Sequence, residues 1–332
     1  MDFYSCHVIG RSVYVCHMIF IEIDIVSREG VCMSAFAFYG ALELGLIYGL
    51  VALGVYITFR VLDFPDLTVD GSFPMGAAVA ATALVSGVNP WVATVMAFFV
   101  GGLSGFVTAF LAVRCGILHL LASILTMLAA FSINIRIMGR PNLSLLGEQT
   151  IFTPLDDLGG ALFIRPLAVA ILVIVCALVI IRLLNSDFGL ALRATGVNAR
   201  MVAAQGASTG FYTYFGLALS NGLVGFSGAV LAQTSGFADV TAGAGTIVVG
   251  LAAVILGQTL IPSRKIWVAV VAVIVGSILY RIAIQFALNT GMFGMQASDL
   301  NLVTALLVAI ALVAPKIKSN IKAKRAAKGA AL

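Results

Sequence analysis

The chain has 332 residues, 61% of them hydrophobic and only 10% charged, with a mean hydropathy of +1.11. Water-soluble domains carry roughly a quarter charged residues, so this chain cannot cover its own surface with polar groups, and lipid is the solvent that fits. The net charge of +5 does not point to nucleic acid either, because the cations fall in short loops and a terminal tail, the pattern of membrane topology.

A helix needs about 20 mostly apolar residues to cross the hydrocarbon core. In chain order such stretches cover 36–58, 71–87, 90–113, 118–138, 166–184, 211–233, 244–261, 265–288 and 299–314. They predict an all-α, polytopic helix bundle. The stretches at 71–87, 244–261 and 299–314 are short and read as spans or as re-entrant or broken helices. Residues 1–32 stand outside this pattern: the apolar run 13–26 is interrupted by Glu22 and Asp24 and lacks a small-residue cleavage site. They read as an N-terminal extension, disordered or not made at all, with Met33 as a natural start. A transmembrane domain over 33–315 and a basic tail over 316–332 follow.

Lys and Arg set the orientation. With alternating spans, thirteen cations fall on one side: Arg60, Arg114, Arg182, Arg193, Arg200, Arg264, Lys265 and the tail residues Lys316, Lys318, Lys322, Lys324, Arg325 and Lys328. Arg136, Arg140 and Arg165 fall on the other. The richer side is the cytoplasm, which receives the loop 185–210 and the C-terminus.

Between the first two stretches the chain reads Phe64-Pro-Asp-Leu-Thr-Val-Asp-Gly-Ser, and between the sixth and seventh it reads Phe237-Ala-Asp-Val-Thr-Ala-Gly-Ala-Gly. Phe, Asp and Thr match in position, and the two segments enter from opposite faces, as an inverted repeat requires. An acid beside an apolar span is costly unless it caps a helix or lines a wet cavity. Asp66, Thr68 and Asp70 are therefore expected to cap the helix at 71, and Asp239 and Thr241 the helix at 244; contact with a transported solute is the other reading.

The loop 185–210 is longer than a bundle requires. Its pattern predicts two short helices, 190–195 and 198–205, broken at Gly196, with Asn198 capping the second and Gly206 ending it. Such a loop docks a partner or is a solvated connector held inside by its arginines. Polar residues inside spans are Asn134, Asn221, Gln233 and Gln258, which line a path or hydrogen-bond a neighbouring helix. Glu43 and Arg281 each need a partner or an aqueous face. No spacing of Cys6, Cys16, Cys32, Cys115 and Cys176, or of the three His, suggests a metal or cofactor.

Taken together, five passages resemble one family. The run Arg193-Ala-Thr-Gly-Val-Asn-Ala-Arg-Met-Val-Ala-Ala-Gln-Gly is similar to the cytoplasmic coupling segment of ATP-binding cassette (ABC) importer permeases of the branched-chain amino acid and ribose type. Asp239-Val-Thr-Ala-Gly-Ala-Gly with Gly250-Leu-Ala-Ala-Val-Ile-Leu-Gly-Gln-Thr resembles their Gly-rich segment and following helix. Gly45-Leu-Ile-Tyr-Gly-Leu-Val-Ala-Leu-Gly and Asp66-Leu-Thr-Val-Asp-Gly-Ser resemble an earlier span and the element after it. Pro262-Ser-Arg-Lys stands where ribose-type members carry a glycine-rich stretch, so the texture is closer to permeases of amino acid, including aromatic amino acid, uptake.

The resemblance implies a multi-pass permease of the bacterial plasma membrane that is not itself an enzyme and carries no cofactor. It implies a second permease copy, cytoplasmic ABC ATPase subunits, an extracytoplasmic substrate-binding protein and surrounding lipid as partners. The loop residues Asp187, Arg193, Asn198 and Arg200 would touch the ATPase. The chain has no GxxxxGK[ST] run, in keeping with ATP hydrolysis on a separate subunit. The rival class is a secondary transporter or channel with an inverted-repeat bundle, which would be expected to carry more intramembrane acids for ion coupling.

Overall fold

Inside a bilayer a backbone satisfies its own N–H and C=O groups only as a helix or a closed barrel, and long apolar runs without alternation select the helix. The computed structural model describes residues 35–156, 161–263 and 265–289; the expected extension 1–32, the ninth span 299–314 and the tail 316–332 lie outside them. Helix α1 (Ala35–Val55) continues into a π-helical turn (Tyr56–Val61), followed by α2 (Val69–Val85), α3 (Pro90–Val113) and α4 (His119–Met138). Then come β1 (Asn142–Ser144), the single turn α5 (Thr153–Asp156), α6 (Ala161–Asn185), α7 (Asp187–Ala204) and α8 (Thr209–Ser235). The strand β2 (Phe237–Asp239), a 3-10 turn (Val240–Gly243), α9 (Thr246–Leu260) and α10 (Ile266–Asn289) complete the described chain.

Among the described residues seven helices are long and apolar enough to cross a membrane: Phe36–Val61, Pro90–Val113, His119–Met138, Ile164–Asn185, Thr209–Ser235, Val240–Leu260 and Ile266–Phe286. The protein is an all-α polytopic bundle. Helix α2, over the expected stretch 71–87, has 17 residues and falls short of that length.

Burial sorts the helices. The most apolar windows of α1 and α8 are 72% buried, against 28% for α4 and α6, so α1 and α8 form the centre. The outer helices turn Leu121, Leu125 and Leu128 of α4 and Ile171, Val175 and Leu178 of α6 outward, where lipid solvates them. Without a hydrophobic drive between helices in lipid, close backbone approach supplies the attraction. Helices α2, α3 and α8 meet at Gly76, Gly101 and Gly225: a Cβ on Gly225 would stand 2.7 Å from the Ala97 carbonyl oxygen, and one on Gly76 would overlap the carbonyl of Gly225.

The two ends of the bundle differ. At one end the π-helical turn, the α3–α4 connection, α7 and the start of α8 come together: Phe64 stacks on His119 with ring centroids 4.2 Å apart, Gly196 of α7 lies against Val61, and Gly210 of α8 lies against Val113. Arg60, Arg114, Arg182, Arg193 and Arg200 belong to this end, the cation-rich end that the positive-inside rule expects at the cytoplasm. At the other end β1 and β2 pair antiparallel, Asn142 opposite Asp239 and Ser144 opposite Phe237.

Replacing Gly225 with Val should cost about 1–3 kcal/mol, the range for overpacking a filled interior, and lower the unfolding temperature in detergent by several degrees. Gly40→Ala, where a Cβ meets nothing within 4 Å, should not lower it.

Candidate functional site

A buried polar region begins where α1 ends. The π-helical turn closes with Leu62 N–H donating to the Ile57 carbonyl at 3.0 Å, and Asp63 takes a left-handed φ of 52°, a conformation Asp tolerates better than most residues. This turn sends the chain back into the bundle and buries Asp66 completely. One Asp66 carboxylate oxygen accepts the Thr68 N–H at 2.9 Å, and the other accepts Asn221 Nδ2 of α8 at 2.7 Å. Asn221 also donates to the Leu217 carbonyl at 3.1 Å and accepts from the Ser72 hydroxyl. The hydroxyls of Thr68 and Thr108 meet at 2.7 Å. One chain of polar groups thus ties the 62–68 linker to α2, α3 and α8, supplying the donors a buried carboxylate needs.

Asp70 does not cap its own helix, contrary to the expectation from sequence. Helix α2 already starts at Val69 with Thr68 at the cap position, so Asp70 sits in the first turn and its side chain reaches α9. Its carboxylate accepts the Gly245 N–H at 3.2 Å and the Ile247 N–H at 2.7 Å. The first N–H groups of a helix have no internal partner, and a carboxylate suits the positive end of the helix dipole. The approach is close: a Cβ at Gly243 would overlap the Asp70 carbonyl oxygen. Asp239 and Thr241 do not cap α9, contrary to the expectation from sequence, because Asp70 takes that place; Asp239 starts the 3-10 turn instead, accepting Thr241 N–H and Thr241 Oγ1, each at 2.8 Å. The turn Asp239–Thr241 therefore has the same side-chain-to-backbone bond as Asp66–Thr68, although Asp239 is only half-buried.

The other in-span polar residues are dispersed. Gln233 joins three elements, donating to Thr94 Oγ1 at 2.7 Å and accepting the Ile151 N–H at 3.0 Å. Asn134 of α4 donates to the Gly71 carbonyl at 3.3 Å, and its buried Oδ1 meets no donor. Gln258 is half-buried near the end of α9. Arg281 lies over the Tyr48 ring, 4.1 Å from its centroid. Asn134, Asn221 and Gln233 are thus each buried in helix–helix contacts rather than gathered around one opening.

Residues 187–204 form the kinked helix α7. The kink falls at Asn198 (φ −156°, ψ 89°), two residues beyond the expected break. Gly196 stays helical because it is the point of closest approach to α1: a Cβ there would overlap the Val61 carbonyl oxygen. Asn198 caps the second piece as expected, accepting the Met201 N–H at 3.0 Å. Ser186 caps the first, accepting the Gly189 N–H at 3.3 Å. Gly206, with φ +83°, follows the helix end.

The inner side of α7 buries Leu192, Thr195 and Val202. Asp187, Asn198 and Arg200 are exposed, while Arg193 is half-buried, its Nε donating to the Gly189 carbonyl at 3.4 Å. Sequence reasoning overlooked the apolar residues beside them: Leu190, Val197 and Met201 are 59%, 88% and 53% exposed. Their signal was present as apolar positions in excess of those one buried face of the helix can absorb.

The family model described as branched-chain amino acid transport system / permease component matches residues 38–313. A tyrosine transport system permease protein of Clostridioides difficile is 38% identical over 83% of this chain and 90% of its own length. An uncharacterized protein of Rickettsia prowazekii is 34% identical over 76% of this chain and 89% of its own. A probable branched-chain amino acid transport permease protein of Methanocaldococcus jannaschii is 26% identical over 81% of this chain and 90% of its own.

Asp70→Ala should leave the α9 N–H groups without an acceptor and cost about 1–3 kcal/mol, read as a lower unfolding temperature in detergent. Asp70→Asn, which keeps an accepting oxygen, should fall between that variant and the parent.

Proposed function

We propose that this chain, which belongs to the family of permease components of branched-chain amino acid transport systems, is the membrane-spanning subunit of an ABC importer and couples to its ATPase through α7. Members of the family are transport components, not enzymes, and the chain is a multi-pass inner-membrane protein. The observation that carries the coupling assignment is the surface of α7. An apolar strip of Leu190, Val197 and Met201, flanked by Arg200 and Asp187, is exposed at the cation-rich end. Exposed apolar side chains rimmed by charge mark protein interaction sites. The opposite side of the same helix is seated on α1 at Gly196, so a push on α7 is delivered to the π-helical turn and the linker that buries Asp66.

A polar solute cannot cross about 30 Å of hydrocarbon unaided, so the bundle must open a wet route alternately to each side. We place that route along the exposed N-terminal approach to α9, where Thr241, Ala242, Ala244 and Gly245 are exposed, facing a second copy of the permease. In this reading Asn221 and Gln233 brace helices, Asn134 keeps a free acceptor beside α2, and Gln258 lies further along the route. The paired turns at Asp66–Thr68 and Asp239–Thr241 fit halves of an inverted repeat that bring two helix starts together. An extracytoplasmic binding protein delivers the solute at the β1–β2 end.

The substrate class is an amino acid. The tyrosine transport relative covers most of the chain at 38% identity and favours an aromatic one. Uptake of labelled tyrosine by cells carrying the complete transporter should be competed by excess phenylalanine more strongly than by excess leucine; equal competition would argue for a broader substrate range.

Changing Arg193 and Arg200 together to Glu should abolish ATP-dependent uptake in proteoliposomes containing the complete transporter, with membrane insertion and unfolding temperature unchanged. Undiminished uptake by the double variant would contradict the coupling role of α7.

A further inference from the structure

Helices α3 and α8 form the walls of an open groove of about 510 Å³ that the transport reading leaves unused. It is lined by Phe106, Phe110 and Arg114 of α3 and its C-cap, and by Phe211, Tyr214, Phe215 and Ala218 of α8. The spacing is helical on both sides: 106, 110 and 114 share one face of α3, and 211, 214, 215 and 218 share one face of α8. The two faces form aromatic walls, with Phe106 and Tyr214 packed at a centroid separation of 5.0 Å. Arg114 stands exposed at one mouth. The groove therefore runs about 12 Å along the helices, apolar within and cationic at its end.

Orientation fixes what meets each part. Arg114 lies at the end of the bundle assigned to the cytoplasm, and α8 begins beside it, since Gly210 touches Val113. The positive end of α8 adds to the field of Arg114. On the same face of α3, further along the helix from Arg114, Phe99 and Leu103 are exposed, the residues of a lipid-facing surface. The aromatic walls thus lie between the hydrocarbon and a cation at the depth of the headgroups. The inner leaflet is the anionic one.

We propose that this groove binds an anionic glycerophospholipid of the inner leaflet, its phosphate at Arg114 and an acyl chain between the aromatic walls of α3 and α8. No acidic side chain lines the groove, so the occupant brings the negative charge, and a phospholipid joins that charge to an apolar chain in the right order. Occupancy would fill the seam between α3 and α8 next to the cytoplasmic start of α8, which follows α7 directly.

The test uses the purified full-length protein in detergent, incubated with phosphatidylglycerol or with phosphatidylcholine of the same acyl chains, and bound lipid counted by native mass spectrometry. Phosphatidylglycerol should be retained in preference to phosphatidylcholine. Arg114→Gln should cut its retention about fivefold, the effect expected of one cation at an anionic surface, while Arg114→Lys keeps most of it. Ala218→Phe, which fills the groove, should lower retention of both lipids. Equal retention of the two lipids, or no response to Arg114→Gln, would overturn the proposal. So would an Ala218→Phe variant that changes oligomeric mass while lipid counts stay the same, since the groove would then hold a second copy of the chain.

Discussion

Two backbone N–H groups at the start of α9, one exposed and one part-buried, are accepted by the Asp70 carboxylate from another part of the chain. This contact joins two short helices, 17 residues in α2 and 15 in α9, by their N-terminal ends. Helix α2 does not reach the ~20 residues that a full crossing takes, and α9 does so only together with the 3-10 turn before it, over Val240–Leu260. Their meeting requires one helix start to be capped by the other, and it requires Gly243 to let the two backbones touch. The adjacent Asp66–Asn221 bond at 2.7 Å then fixes the linker that leads into α2. Polar groups that would be costly alone are stable here because each satisfies the next.

The same economy runs through the bundle. Helices pack by small residues where backbones must approach, as at Gly76, Gly101 and Gly225, and by buried amides where they must not slip, as at Gln233. In lipid such contacts contribute modestly each, roughly 0.5–2 kcal/mol, so many are needed and few are strong enough to freeze the fold in one state. A structure held by numerous weak ties suits a protein that must shift its helices in each transport cycle. In the coupling proposed above, helix α7 applies the force, its inner side seated on the end of α1 at Gly196 and its outer side exposing Val197.

Much of this was legible in the sequence. Apolar length located the spans, because the bilayer demands it whatever the packing. The sequence reading assigned Asp66 to the helix at 71 and Asp239 to the helix at 244, whereas each carboxylate bonds the backbone two residues on, at Thr68 and Thr241. The role of Asp70 was not legible either, since the N–H donors it accepts lie 175 and 177 residues away and sequence reasoning assigned it to the nearest helix. The break in α7 was placed at Gly196 on conformational grounds, but that glycine is needed for contact with Val61, and Asn198 takes the kink. The exposure of Val197 and the aromatic groove between α3 and α8 depend on which helices neighbour one another, which periodicity does not record.

The central claim is that the outer side of α7 faces the cell interior, where an ATPase can grip it. The direct measurement places a single cysteine at Val197, 88% exposed, in a chain whose native cysteines are replaced, and labels it with a membrane-impermeant maleimide. Inside-out vesicles should label and right-side-out vesicles should not. Labelling from the outer face alone would contradict the coupling role of α7 and the importer account built on it.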